Sequence, residues 1–203
     1  IKFHMKNGIF KNTKKSKNKY NYSNVISNIV INYVWHKSDG NFQKLLDKIF
    51  IEKAKVKNDV WFLRMKKNNV EFRYEVNDED GPIRYSFRAS RYDYLRIVKA
   101  MVDDWKNDTC VGKYLKEIYK RKISKNSKKT DPKSANGMSK SYAGFFHTNY
   151  KGINNSRSVM GMVGYGGQII LIDFDQGRII VINSIHTNYN WKKIAHSVIK
   201  KGK

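Results

Sequence analysis

The sequence predicts an α+β protein in which helices flank an antiparallel sheet, and three stretches carry that expectation. The first is Met162–Ser184, reading MVGYGGQIILIDFDQGRIIVINS, where the apolar runs Ile169–Ile172 and Ile179–Ile182 flank an Asp175-Gln176-Gly177 turn. Two apolar runs joined that tightly form a β-hairpin, and both are apolar enough to be interior strands of a sheet covered on at least one face. The second is the helix opened by Ser90-Arg91-Tyr92-Asp93, with Tyr94, Ile97, Val98, Met101 and Trp105 as its inward stripe. The third is the run of short strand-like segments between Asp59 and Arg88.

In chain order, Ile1 to Lys19 is rich in lysine and asparagine and reads as a basic lead or severed connection. Val25, Ile26, Ile29, Val30, Tyr33 and Val34 then recur at helical spacing. Ser23 or Asn24 is placed to cap that helix through a side-chain oxygen, and Ser38-Asp39-Gly40 to end it. A second helix, Asn41 to Ile51, presents Phe42, Leu45, Leu46, Ile49 and Phe50. Strands are expected at Val60–Met65, Val70–Val76 and Ile83–Phe87, the last after an Asp78–Pro82 turn.

Beyond the Ser90 helix, Val111 to Ile123 reads as another, with Leu115, Ile118 and Tyr119 inward. Ser124 to Ser141 is basic and nearly free of apolar residues, which predicts a mobile surface loop. Tyr142 to Tyr150 is aromatic enough to be a single strand, with His147 packed in it. Trp191 to Lys200 closes the chain as a helix with Ile194, Ala195, Val198 and Ile199 on its apolar side.

Composition narrows the function classes. A chain of 203 residues that is 40% hydrophobic and 13% aromatic has enough apolar material for a sizeable core, so it should fold. The net charge of +24 invites a nucleic-acid reading, since clustered cations displace counterions from phosphates. Here, however, lysine, asparagine and isoleucine are abundant together throughout, as an A+T-rich coding sequence produces. No helix-turn-helix, zinc-ligand or ribonucleoprotein signature accompanies the charge, so no specific nucleic acid is expected as a partner. Cys110 has no cysteine to pair with, and His4, His36, His147, His186 and His196 show no metal-ligand spacing, so no metal or other cofactor is expected. No apolar stretch reaches the roughly 18 residues of a membrane span.

Tyr22-Ser23-Asn24 at the head of a helix resembles the Tyr-x-Asn motif of class C β-lactamases and the penicillin-binding-protein-like serine hydrolases, a family that includes esterases, D-amino-acid amidases and 6-aminohexanoate-dimer hydrolases. The Ser90–Asp93 helix start is similar to the Ser-Ala-x-Asp opening common there. Tyr165-Gly166-Gly167-Gln168 sits where the family carries its third motif, Lys-Thr-Gly or variants such as Trp-Gly-Gly, and the terminal helix after a hairpin also fits. The resemblance implies a β-lactamase/transpeptidase-like fold, of which residues 20–203 are the C-terminal part of one domain, and a small amide or ester as substrate.

It also implies roles. Acyl transfer needs a nucleophile, a base for its proton, and N–H donors for the developing oxyanion. Tyr22 corresponds to the general acid/base, and Asn24 to a hydrogen-bonding partner of the substrate amide or of the catalytic lysine. The backbone N–H of Gln168 corresponds to an oxyanion donor, while Gly166 and Gly167 let substrate lie against the strand beside Tyr165. Tyr22 and that strand are then expected to line one cleft. Tyr165 stands where β-lactamases place a lysine near the β-lactam carboxylate, which tilts the expectation toward an esterase or amidase.

The family's nucleophile lies in a Ser-x-x-Lys helix turn well before Tyr-x-Asn. The two matches here are Ser16 to Lys19, in a polar lead close to Tyr22, and Ser197 to Lys200, on the terminal helix in the wrong order. The expectation is therefore a portion of a serine hydrolase whose nucleophile lies upstream, inactive by itself, and periplasmic or extracellular by family habit. Two other readings stand beside it. Tyr22 reads equally as an ordinary aromatic before a helix capped by Asn24, and the whole chain as a non-catalytic basic binding protein, a nucleic-acid binder included.

Overall fold

A computed structural model describes residues 20, 24–39, 42–57, 61–65, 70–71, 84–125, 138–153, 156–164, 167–184 and 189–200. They belong to two compact units, Ile1–Ala89 and Ser90–Lys203.

In the first unit, helix α1 (Asn24–Lys37) ends where Asp39 turns left-handed, at φ +48°, in the Ser38-Asp39-Gly40 stretch expected to stop it. Val30 and Tyr33, expected on its buried stripe, are about half exposed. Helix α2 (Phe42–Asp47) runs into a wider π-helical turn, Lys48–Lys53. That turn rotates the register, so Leu46 is buried while Ile49, expected beside it, is exposed. Strands β1 (Trp61–Met65), β2 (Val70–Glu71) and β3 (Arg84–Arg88) form an antiparallel sheet in the order β2-β1-β3. The rest of the expected Val70–Val76 strand lies outside the described residues.

The second unit opens with α3 (Arg91–Lys106). Ser90 caps it: its Oγ accepts the Asp93 N–H at 3.1 Å and donates to Asp93 Oδ2 at 2.7 Å. Asp93 is fully buried, and Arg96 Nη1, 2.8 Å from its other oxygen, compensates the charge. Thr109 caps α4 (Cys110–Lys120) in the same manner, accepting from Gly112 N at 3.2 Å.

Six strands follow: β4 (Ile123–Ser124), β5 (Ser139–Ala143), β6 (Phe146–Tyr150), β7 (Val159–Val163), β8 (Ile169–Asp173) and β9 (Arg178–Ile182). They pair antiparallel in sequence order, so the sheet is a simple meander. The chain then forms α5 (Trp191–Ala195), prolonged by a π-helical turn, His196–Lys200. The architecture of this unit is α+β, with an open six-stranded antiparallel sheet and helices on both faces.

The faces divide cleanly along β8. Ile169 and Leu171 join Val159, Ile180, Ala195 and Ile199 in one core, under the terminal helix. Ile172 joins Phe174, Met160, Val98, Val102, Trp105 and Leu115 in the other, under α3 and α4. Trp105 stacks on Phe174 at 4.6 Å between centroids. Burial on both sides is what makes β8 a continuous apolar run, with Ile170 alone in the strand partly exposed.

Several expectations need correction. Tyr142–Tyr150 is not one strand: Gly144 and Phe145, at φ +50° and +72°, turn the chain between β5 and β6. Ser124–Ser141 is not wholly a surface loop, because its two ends form β4 and the start of β5, and Lys125, Ser139 and Ser141 are buried. On the terminal helix Ala195 and Ile199 are buried, but Ile194 and Val198 are exposed, because the π-helical turn narrows the buried stripe. Strand β7, which carries no expectation of its own from the sequence, pairs along the whole of β8.

Gly161 on β7 has a packing reason to be glycine. Asn149 at φ +53° breaks the alternation of β6, so that Tyr150 lies in the core with Val159 and Leu171 while Phe146 lies in the other. The Tyr150 hydroxyl then occupies the place a Cβ on residue 161 would take, with the Ile170 carbonyl oxygen 3.1 Å from that place. Gly161→Ala should therefore destabilise the chain by about 1–3 kcal/mol in urea unfolding. Tyr150→Phe combined with it should recover part of the loss, whereas strictly additive single costs would contradict the contact.

Candidate functional site

The connection from β7 to β8 contains the glycines singled out in the sequence. Gly164 N donates to the Gln168 carbonyl at 2.8 Å, closing the hairpin from below. Gly167 lies at φ +87°, a conformation that an L side chain adopts only with strain, and it feeds the chain directly into β8. The Gly167 carbonyl accepts a hydrogen bond from the Tyr189 hydroxyl. No hydrogen bond from the Gln168 N–H to another described residue is found. Gln168 is half-buried, and its side chain lies over Gly164.

Tyr189 comes from the segment just before α5. Asn190 caps that helix, its Oδ1 accepting the Lys193 N–H at 3.1 Å. The tyrosine ring packs against the core that holds Ile169 and Leu171, and burial pushes its hydroxyl pKa above the usual range, so the group is a protonated donor at neutral pH. Nothing in the sequence singles out Tyr189, because its partner is a backbone carbonyl, which leaves no trace in side-chain spacing.

Of the residues expected to carry chemistry, Gly167 and Gln168 lie together at this turn, in the second unit. Asn24 is the first residue of α1, in the first unit. Tyr22, Tyr165 and Gly166 lie outside the described residues. His186 and Asn188 also lie outside them, and Trp191 is the first residue of α5. Ser197, of the second Ser-x-x-Lys match, donates its Oγ to the Ile194 carbonyl at 2.8 Å on an exposed helix surface. That bond engages its proton within its own helix.

A second polar cluster ties β4, β5 and β6 together. Lys125 Nζ donates to Ser139 Oγ, and each lies 3.1 Å from His147 Nδ1. All three residues are buried, and the Tyr142 ring meets the His147 imidazole edge-on at 5.0 Å. Burial pulls the Lys125 pKa down to about 8. Burial, and then the Lys125 charge, pulls His147 down to about 4. A serine beside a lysine of lowered pKa has the makings of a nucleophile and its base. Here Ser139 is 3% exposed, which leaves no room for an acyl group, so the cluster acts as a buried polar tie. His147 is thus a packed strand residue, as expected. Lys125 and Ser139 give no such signal, because the sequence around them reads as a loop.

Among the described residues no group of three or more His, Cys, Asp or Glu side chains is placed to hold a metal ion, and no helix is long and apolar enough to cross a membrane. No protein-family model, curated protein or solved structure matches this chain.

The His147 environment has a pH consequence. Between pH 6.5 and about 4 the unfolded chain takes up a proton that folded His147 refuses, so its contribution is intact above pH 6.5 and is lost as pH falls toward 4. The loss amounts to about 3 kcal/mol at most. Urea midpoints of the wild type should fall across this window more steeply than those of His147→Gln, and parallel pH profiles would contradict the assignment.

Proposed function

We propose that this chain is the C-terminal portion of a β-lactamase-related serine hydrolase, acting on a small amide or ester through an acyl-enzyme. The reading rests on one observation above the others. A left-handed glycine leads into a strand buried on both faces and leaves the next N–H, that of Gln168, without an acceptor among the described residues. A backbone N–H at a strand end with no acceptor among the described residues can serve as an oxyanion donor. The resemblance of Tyr165-Gly166-Gly167-Gln168 to the family's third motif supports that role for the donor, and a hairpin followed by a terminal helix is the order the family follows.

In this reading Gln168 offers its N–H to the tetrahedral intermediate, and Gly166 and Gly167 allow the acyl chain to lie along the strand. Tyr22 shuttles the proton between nucleophile and leaving group, and Asn24 hydrogen-bonds the substrate amide or the catalytic lysine. The serine nucleophile and its lysine are contributed from outside this chain. Neither internal Ser-x-x-Lys match suits that role, since Ser16 lies close before Tyr22 in a polar lead and the hydroxyl proton of Ser197 is held by its own helix. Tyr165 in place of a lysine favours an ester or amide without a β-lactam's carboxylate.

The whole polypeptide, purified with its upstream segment, should hydrolyse p-nitrophenyl esters, and Tyr22→Phe should lower kcat by about 10²–10³-fold, as removal of a general acid/base does. The present chain alone should show no turnover. A whole polypeptide without hydrolase activity that binds DNA at physiological salt well below micromolar Kd would instead establish a basic binding protein.

A further inference from the structure

We infer that Tyr189 is the residue that aims the Gln168 N–H, acting through the Gly167 carbonyl; the inference rests on the oxyanion role proposed above. The carbonyl of Gly167 and the N–H of Gln168 belong to one planar trans peptide and point in opposite directions. Whatever holds the oxygen therefore also sets the direction of the hydrogen. At this peptide the holder is the Tyr189 hydroxyl.

Glycine makes such a holder necessary. At φ +87° Gly167 lies in a region that glycine enters freely and leaves as freely, so the residue alone does not fix its peptide plane. On one side the Gly164 N–H to Gln168 carbonyl bond fixes the following peptide. On the other, only the tyrosine bond restrains the Gly167 carbonyl among the described residues. Tyr189 is itself well anchored, with its ring against the core that contains Ile169 and its backbone one residue before the Asn190 cap. A rotation of the peptide by a few tens of degrees would leave the fold intact and misdirect the donor, and transition-state stabilisation depends steeply on that direction.

Tyr189 is thus a positioning residue and touches no substrate. Its loss should appear in kcat and not in KM, because an oxyanion forms only after substrate has bound. In the whole polypeptide, Tyr189→Phe, which removes one oxygen and keeps the ring packed, should lower kcat for p-nitrophenyl esters about tenfold, the effect of about one net hydrogen bond, with KM within twofold. Asn190→Ala, which weakens the start of α5 but spares the hydroxyl, should lower Tm and leave kcat near wild type. In the present chain, labelled with ¹⁵N-glutamine, Tyr189→Phe should displace the Gln168 amide resonance and leave those of Gln43 and Gln176 in place.

Full kcat in Tyr189→Phe, or an unmoved Gln168 amide, overturns the inference even where the wild type is an active hydrolase. Equal loss of kcat in Asn190→Ala also overturns it, since both changes would then act through the helix. A whole polypeptide with no hydrolase activity removes the underlying reading first, and the inference with it.

Discussion

Burial of β8 from both sides is the constraint on which the second unit depends. With Ile169 and Leu171 in one core, and Ile172 and the following Phe174 in the other, the strand leaves little of either face to water. Its backbone must be satisfied by neighbours, and β7 and β9 pair with it from Val163–Ile169 at one end to Asp173–Arg178 at the other. Slippage by one residue would exchange the two cores, so the register is held firmly. The strand's first residues inherit that rigidity. A turn leading into such a strand can hold a backbone donor in a fixed direction, which a mobile loop could not do.

The polar groups buried around this sheet divide by what they accomplish. Asp173, fully buried at the end of β8, pairs with Arg157, and the same guanidinium reaches the Ile199 carbonyl at 2.8 Å. The ion pair thereby joins the strand to the terminal helix, and removing one partner would strand the other's charge in the interior. The Lys125, Ser139 and His147 cluster joins three strands near the opposite edge, with its charge reduced by the lowered pKa values of both bases. Both sets stabilise the architecture. The proposal assigns chemistry instead to backbone groups at Gly167 and Gln168, the latter with an N–H that has no acceptor among the described residues.

How much of this the sequence disclosed follows from the range of each interaction. The Ser90 cap and the β8–β9 hairpin were legible because they are local: a serine three residues before an aspartate, and two apolar runs around Asp175-Gln176-Gly177. The edges of the sheet were not. Strands β4 and β5 are short and polar, and Ser139 and Ser141 are buried only because β6 and the core lie against them. No periodicity announces that. The break at Asn149, which places Tyr150 against Gly161, depends on one residue's backbone angle, and the π-helical turns at Lys48–Lys53 and His196–Lys200 shift stripes that ideal helical spacing would continue. At the candidate site the glycines could be read directly, and Tyr189 could not, since the group it serves is a peptide carbonyl common to every residue.

Two-sided burial fixes the strand, the Tyr189 hydroxyl holds the peptide that leads into it, and in the proposed reading the N–H of that peptide serves an oxyanion. The proposed hydrolase is completed by a serine supplied from elsewhere in the same polypeptide. Treating the whole polypeptide with a fluorophosphonate and locating the adduct by mass spectrometry tests this most directly. The account predicts a single modified serine, in a Ser-x-x-Lys turn outside these 203 residues. A polypeptide in which no serine reacts, or in which only Ser16 or Ser197 does, would contradict it.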